Sequence, residues 1–247
     1  MIARAALLVG LAAGLTVTAA WGGMARRVAF QGHTFDTFTV DLAADPLAVY
    51  FKDGKNRYRS ISAVRERLKR QGRKLVFAMN GGIFEPSHEP SGLYVEHGTE
   101  VHPLNLQSGK GNFFLKPNGV FVLAGGHGWI VESGRYAALA KRVEVSYALQ
   151  SGPLMMGQGK LHPGFLADAT SVNIRNGVGM LSAGRAVFAI SNQPVTFRQF
   201  ALFFKDKMNC SDALYLDGSI SRMYAPDLGR VDLGGDFATI IGVADRP

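Results

Sequence analysis

Three apolar, strand-like runs in this chain each stop at a side-chain amide or carboxylate followed closely by glycine. Lys74–Met79 leads into Asn80-Gly81-Gly82-Ile83-Phe84, Val143–Leu149 into Gln150-Ser151-Gly152-Pro153, and Ala213–Leu216 into Asp217-Gly218-Ser219-Ile220-Ser221. A strand that ends this way sets a polar group at its tip, and the glycine lets the backbone turn with no Cβ in the way. The three segments lie far apart in sequence. Their shared punctuation predicts a fold that gathers three strand ends around one pocket.

The rest of the chain predicts the elements that would do so. Phe35–Asp53 reads as two strands broken near Asp45-Pro46. A helix follows, with Ser60 or Ser62 as its cap, Ile61, Val64 and Leu68 on one face, and Gly72 at its end. Hairpins are expected over Gly92–His102 with a turn at His97-Gly98, over Asn112–Leu123 with a turn at Pro117-Asn118-Gly119, and over Met180–Ile190 with a turn at Ser182-Ala183-Gly184. Tyr136–Arg142 reads as a short helix. Thr196–Met208 reads as a longer one, opened by a Thr196/Gln199 capping box and striped with Phe197, Phe200, Phe204 and Met208. Ala238–Val243 reads as a last strand. Hairpins mixed with few helices predict an α+β fold: a mixed, largely antiparallel sheet with a few packed helices.

The 247 residues, 47% of them hydrophobic, suffice for one core, and residues 24–247 are read as a single domain. Residues 1–23 contain Arg4, an apolar run from Ala5 to Ala20 and the small-residue stretch Thr18-Ala19-Ala20, the pattern of an export signal; an uncleaved anchor over residues 5–23 is the alternative. The domain is therefore expected in the periplasm or secreted. Cys210 is the sole cysteine, which excludes an intrachain disulfide, and it is expected to be a buried small residue. The net charge of +8 does not point to nucleic acid, because the segment 52–74 alone, with ten bases against Asp53 and Glu66, carries that whole surplus. This is a basic helix face, solvated or in peripheral contact with an anionic membrane surface.

Taken in order with Arg175-Asn176-Gly177-Val178-Gly179, the three polar segments resemble the phosphodiester glycosidase family over roughly Leu75 to Val243. In its last motif the chain departs from the family's run of glycines, with Ser219 and Ile220 in that stretch, so the loop is stiffer. The resemblance implies cleavage of a sugar from a phosphodiester, and so a phosphorylated carbohydrate as partner. In such a reaction the leaving group is already a stable phosphate anion. A carboxylate at the anomeric centre and donors for the phosphate are the main needs.

Asp217 is the expected main carboxylate and Glu85 the second, with Glu89 behind it. Arg175, which matches the family's Arg before a Gly, is the expected phosphate ligand. Asn80 and Gln150 are expected to address sugar hydroxyls or water, Gly81 and Gly82 to offer N–H groups, and Ser151, Gly152, Gly218 and Ser221 to line the site. His88 and His162 are candidate proton donors to the leaving phosphate. No histidine pair has metal-ligand spacing, so no cofactor is expected, with a divalent ion on Asp217 left open. Ser151 and Ser221 lack a Gly-x-Ser-x-Gly elbow, which argues against acyl transfer. A non-catalytic binder of phosphorylated or anionic envelope glycans is the alternative to an enzyme.

Overall fold

The computed structural model of the chain describes residues 23–246, except for the side chain of Ser219. The segment read as a signal or anchor lies, apart from Gly23, outside the described residues. Among the described residues no helix is long and apolar enough to cross a membrane.

Among the described residues three large sheets, each with all its paired strands antiparallel, surround a shared core, and a two-stranded ribbon, Lys52–Asp53 with Asn56–Arg57, stands apart from them. The largest has seven strands in the order Met24–Phe30, His33–Asp41, Arg185–Ser191, Asn176–Ser182, Asp212–Tyr215, Leu154–Gly157 and Lys160–Leu161. A second has five: His127–Glu132, Gly119–Ala124, Tyr147–Ser151, Tyr94–Glu96 and Thr99–His102. The third, also of five, runs Arg230–Val231, Met223–Ala225, Leu75–Asn80, Ile240–Ala244 and Leu47–Tyr50. With three helices against these strands, the fold is α+β as the sequence predicts.

The inner faces meet in one aromatic cluster. Phe77 of the third sheet stacks on Phe38 of the largest at 4.4 Å and tilts against Phe188 at 5.3 Å, and Phe121 of the second sheet meets Phe188 edge-on at 5.9 Å. Each sheet's other face is covered by a helix. Ile61, Val64 and Leu68 of the Ile61–Arg70 helix pack on Leu75, Ala78 and Ile240, and Tyr136 and Leu139 of the Tyr136–Ala140 helix on Val120, Val122 and Ala148. Phe200, Phe203 and Phe204 pack on Phe35, Met155 and Val187. Strands buried on both faces read as continuous apolar runs rather than as alternation, which is why Leu75–Met79 and Gly119–Ala124 are apolar almost throughout.

The helix starts follow the sequence signals. Ser60 Oγ accepts from the Ala63 N–H at 3.3 Å, and the capping box closes with Gln199 N on Thr196 Oγ1 at 3.1 Å and Thr196 N on Gln199 Oε1 at 2.8 Å. That last helix is α-helical over Phe197–Leu202 and widens to a π turn over Phe203–Lys207. Cys210 is buried against it, and burial pushes its thiol up to about 12.

One hairpin differs from expectation. Asn112–Phe114 is a 3₁₀ turn, Asn118 is buried with its Nδ2 donating to the Phe113 carbonyl at 2.9 Å, and the strand starts only at Gly119. The chain reverses instead at Gly125-Gly126, whose φ angles of 55° and 76° suit a tight hairpin turn. Pro117 has no N–H for a ladder, so Pro-Asn-Gly here ends a loop. In the basic segment, Arg57 pairs with Glu89, Arg59 with Asp236 at 2.6 Å and Arg67 with Asp53 at 2.7 Å, so part of its charge is compensated.

Because Phe77 touches rings from the largest sheet while standing in the third, Phe77→Ala is expected to destabilise the protein by about 3–5 kcal/mol, read as a lower denaturant midpoint at unchanged slope.

Candidate active site

Asn80, the last residue of its strand, is buried, and a buried amide needs partners for both of its ends. Its Nδ2 donates to the Asp217 carbonyl at 2.7 Å, while its Oδ1 accepts from Arg222 N at 2.8 Å and from Asn176 Nδ2 at 3.0 Å. One side chain thereby joins the end of the Leu75–Asn80 strand to both sides of the 217–222 turn and to the start of the Asn176–Ser182 strand. Ser221 Oγ lies 3.3 Å from Asn176 Oδ1 and 3.0 Å from the Gly218 carbonyl, which closes the turn on itself.

Gly81 and Gly82 let the other ends approach. The Asp217 N–H donates to the Gly81 carbonyl at 3.1 Å, and a Cβ on Gly81 would lie 2.3 Å from Thr239 Oγ1. A Cβ on Gly82 would lie 2.8 Å from the Gln150 carbonyl, and the next residue, Ile83, donates its N–H to Ser151 Oγ at 3.4 Å. All three glycine-linked strand ends therefore converge on Gly81-Gly82. Gly152 follows, packed against Asn118 and Phe113.

Asp217 is half-buried, the Tyr215 hydroxyl lies against Gly218, and the Arg175 guanidinium is 5.7 Å from the centre of the Tyr215 ring. Burial pushes the Tyr215 hydroxyl up; the charge of Arg175 opposes this, Asp217 adds to it, and hydrogen bonding to Gly218 and Arg175 opposes it in turn. The net direction is upward, so Tyr215 is a neutral hydroxyl. Arg175 is fully buried, its guanidinium 3.6 Å from the centre of the Phe197 ring, with Nε donating to the Val195 carbonyl at 2.8 Å and an Nη to the Ser171 carbonyl at 3.2 Å. The expectation of an open phosphate clamp is corrected here, since main-chain carbonyls and an aromatic face occupy the fork.

Gln150 is corrected in the same way. Its Oε1 accepts from Leu93 N and Asn105 N at 2.9 Å each, and its Nε2 donates to the Asn105 carbonyl at 2.7 Å and lies 3.1 Å from Ser133 Oγ. All four positions of the amide are taken, three by backbone flanking the Tyr94–Glu96/Thr99–His102 hairpin and one by Ser133, leaving none for a sugar. Glu85 is exposed, and its carboxylate accepts from Ser91 Oγ at 2.6 Å within its own loop. His88 pairs with Asp236 at 3.0 Å, and His162 is buried against Phe165 with Nδ1 accepting from Gly164 N at 3.0 Å. Neither histidine belongs to this cluster.

Beside the 217–222 turn opens a cavity of about 440 Å³ whose lining includes Ser191, Asn192, Gly218, Ser221, Arg222, Arg230 and Asp232. Arg230 is held by a buried carboxylate: an Nη donates to Asp36 Oδ2 at 3.2 Å and to Asn192 Oδ1 at 2.7 Å, and its Nε to Asp232 Oδ2 at 2.9 Å. Asp36 is also gripped by Arg27 at 2.7 and 3.1 Å. Burial alone would push the Asp36 carboxyl up; the hydrogen bonds from Arg27, Asn192 and Arg230 and the charge of Arg27 outweigh it and hold it below the usual range. The sequence reading missed Arg222, Arg230, Asn176 and Asp36. Arg222 and Asn176 each adjoin a residue it named, whereas Asp36 and Arg230, 194 positions apart, carry no local signal. Among the described residues no group of three or more His, Cys, Asp or Glu is placed to hold a metal ion.

Replacing Asn80 by Ala would strand the Arg222 N–H and the Asp217 carbonyl, and is expected to destabilise the protein by roughly 2–4 kcal/mol, read from denaturant midpoints. Asp36 gives a pH signature. Its folded pKa lies below the ordinary 3.8, so its contribution is complete above that value and disappears as the pH falls through the lower, folded value. The stability gap between wild type and Asp36→Asn should stay constant from pH 7 to about 5 and narrow below about 4 in urea titrations.

The family model for phosphodiester glycosidases matches residues 73–243. Uncharacterized protein YigE of Escherichia coli (strain K12) is 40% identical over 192 residues, covering 77% of this chain and 74% of that protein. Among solved structures, the catalytic domain of zebrafish N-acetylglucosamine-1-phosphodiester alpha-N-acetylglucosaminidase, auto-inhibited by its pro-peptide, superimposes with a TM-score of 0.62 at 14% identity over 91% of this chain and 82% of that one. A hypothetical protein from Synechocystis gives 0.54 at 13% identity, covering 90% and 61%, and a putative exported protein from Burkholderia pseudomallei K96243 gives 0.51 at 10%, covering 85% and 74%. At these identities the solved structures share the fold. With its three glycine-linked strand ends converging on Gly81-Gly82 and the family match extending across them, this chain belongs to the phosphodiester glycosidase family.

Proposed function

We propose that the protein is an exported hydrolase that cleaves the glycosidic bond of a sugar 1-phosphodiester. Water adds at the anomeric carbon, the bond from that carbon to the bridging oxygen breaks, and a phosphomonoester anion leaves with the oxygen. The observation that carries this reading is the convergence of Asn80, Gly81 and Asp217 beside a cavity lined by two arginines. Because the departing group is a stable anion, the reaction needs charge complementarity more than a strong acid.

Asp217 is the carboxylate of this reading. It supports the positive charge that develops at the anomeric carbon or takes a proton from the attacking water. Asn80 and Ser221 hold the turn that presents it, the neutral Tyr215 hydroxyl lies against Gly218 of that turn, and the Arg175 guanidinium is 5.7 Å from the Tyr215 ring centre. Glu85, bonded to Ser91 on an exposed loop, has no assigned step. Export is supported by the apolar N-terminal run after Arg4, and a similar fold is described as a putative exported protein.

The purified protein is expected to hydrolyse at least one member of a panel of sugar 1-phosphodiesters, and Asp217→Asn to lower turnover by roughly 10²–10⁴-fold with substrate binding retained. Parallel assays with a chelator read out metal dependence. Sugar-phosphate binding by both proteins without turnover on any substrate would replace the enzyme with a glycan-binding module.

A further inference from the structure

The two arginines of the cavity are held differently. Arg230 is fixed on three sides by Asp36, Asn192 and Asp232, and Asp232 in turn accepts from the Met223 N–H at 3.1 Å. Arg222 is exposed; an Nη donates to the Ser221 carbonyl at 2.9 Å, and among the described residues its guanidinium forms no salt bridge with a carboxylate. Asp36 and Asp232 are thus engaged by Arg27 and Arg230, and Arg222 is the lining arginine whose guanidinium is held by a main-chain carbonyl rather than by either of them. The lining adds short polar side chains at Ser191, Asn192 and Ser221, and Ile174 is its sole aliphatic member.

A rigid cation, a second and exposed cation and a ring of hydroxyl and amide groups form a site suited to the oxygens of a phosphodiester. Arg175, by contrast, is enclosed. We infer that this cavity is the phosphoryl subsite, with Arg222 and Arg230 as its cationic ligands, and that the group beyond the phosphate is polar rather than a lipid chain. The inference rests on the proposed glycosidase reading, since it names where that substrate's phosphate sits.

The test is titration calorimetry at low salt with inorganic phosphate and with α-D-glucose 1-phosphate. Wild type should bind both saturably, and Arg222→Gln and Arg230→Gln should each weaken binding about tenfold or more. A Lys69→Gln/Arg70→Gln double variant on the basic helix should bind as wild type does. Arg222 is exposed, so Arg222→Gln decides the matter even if Arg230→Gln fails to fold. Unchanged binding by folded Arg222→Gln, an equal loss in the helix variant, or no saturable binding by wild type would overturn the subsite. Binding that depends on both arginines with no hydrolysis of any diester would remove the hydrolase reading and leave the subsite. Hydrolysis unaffected by either substitution would do the reverse.

Discussion

The Asn80 side chain is the interaction on which the arrangement of the site depends. A buried amide left without partners costs about 1–3 kcal/mol at each end. Here its partners come from three other places in the chain: Asp217, Arg222 and Asn176. Satisfying the amide ties those segments to one another, so a local polar requirement becomes a constraint on tertiary structure. The carboxylate of Asp217 and the guanidinium of Arg222 leave the backbone at the two ends of one turn, and the amide of Asn80 reaches both ends.

A second constraint works at longer range. Asp36 lies inside the largest sheet, where a lone carboxylate would be driven to protonate, and Arg27, Arg230 and Asn192 keep it charged. Buried ion pairs contribute little net stability, because desolvation offsets much of their attraction. Their geometric consequence is larger. Arg230 comes from the edge of the third sheet and Asp36 from the largest, so the pair fixes one sheet's edge against the other at the mouth of the cavity.

Much of the fold is legible from local chemistry. Ser60 and the Thr196/Gln199 box start helices where they are expected, and His97-Gly98 and Ser182-Ala183-Gly184 reverse the chain as predicted. Pro117-Asn118-Gly119 misleads because a turn-like tripeptide states only that the chain bends; whether a hairpin follows depends on what lies on either side. Gln150 misleads for a related reason. An amide at a strand end signals a polar need, and in Gln150 that need is met by Leu93 and Asn105, which flank a hairpin of the second sheet, and by Ser133, whereas in Asn80 it is met by the site.

By itself the sequence determined the strand ends, the helix caps, the continuous apolar strands and the family to which they belong, because each of these is written in neighbouring residues or in a spaced series of short motifs. Tertiary structure alone decided which polar groups are spent on the fold and which face the cavity. Arg175 is enclosed by Phe197 and two carbonyls while Arg222 is exposed, yet both are arginines beside a site motif. The difference is one of burial and partner choice, and these arise only when distant segments pack together.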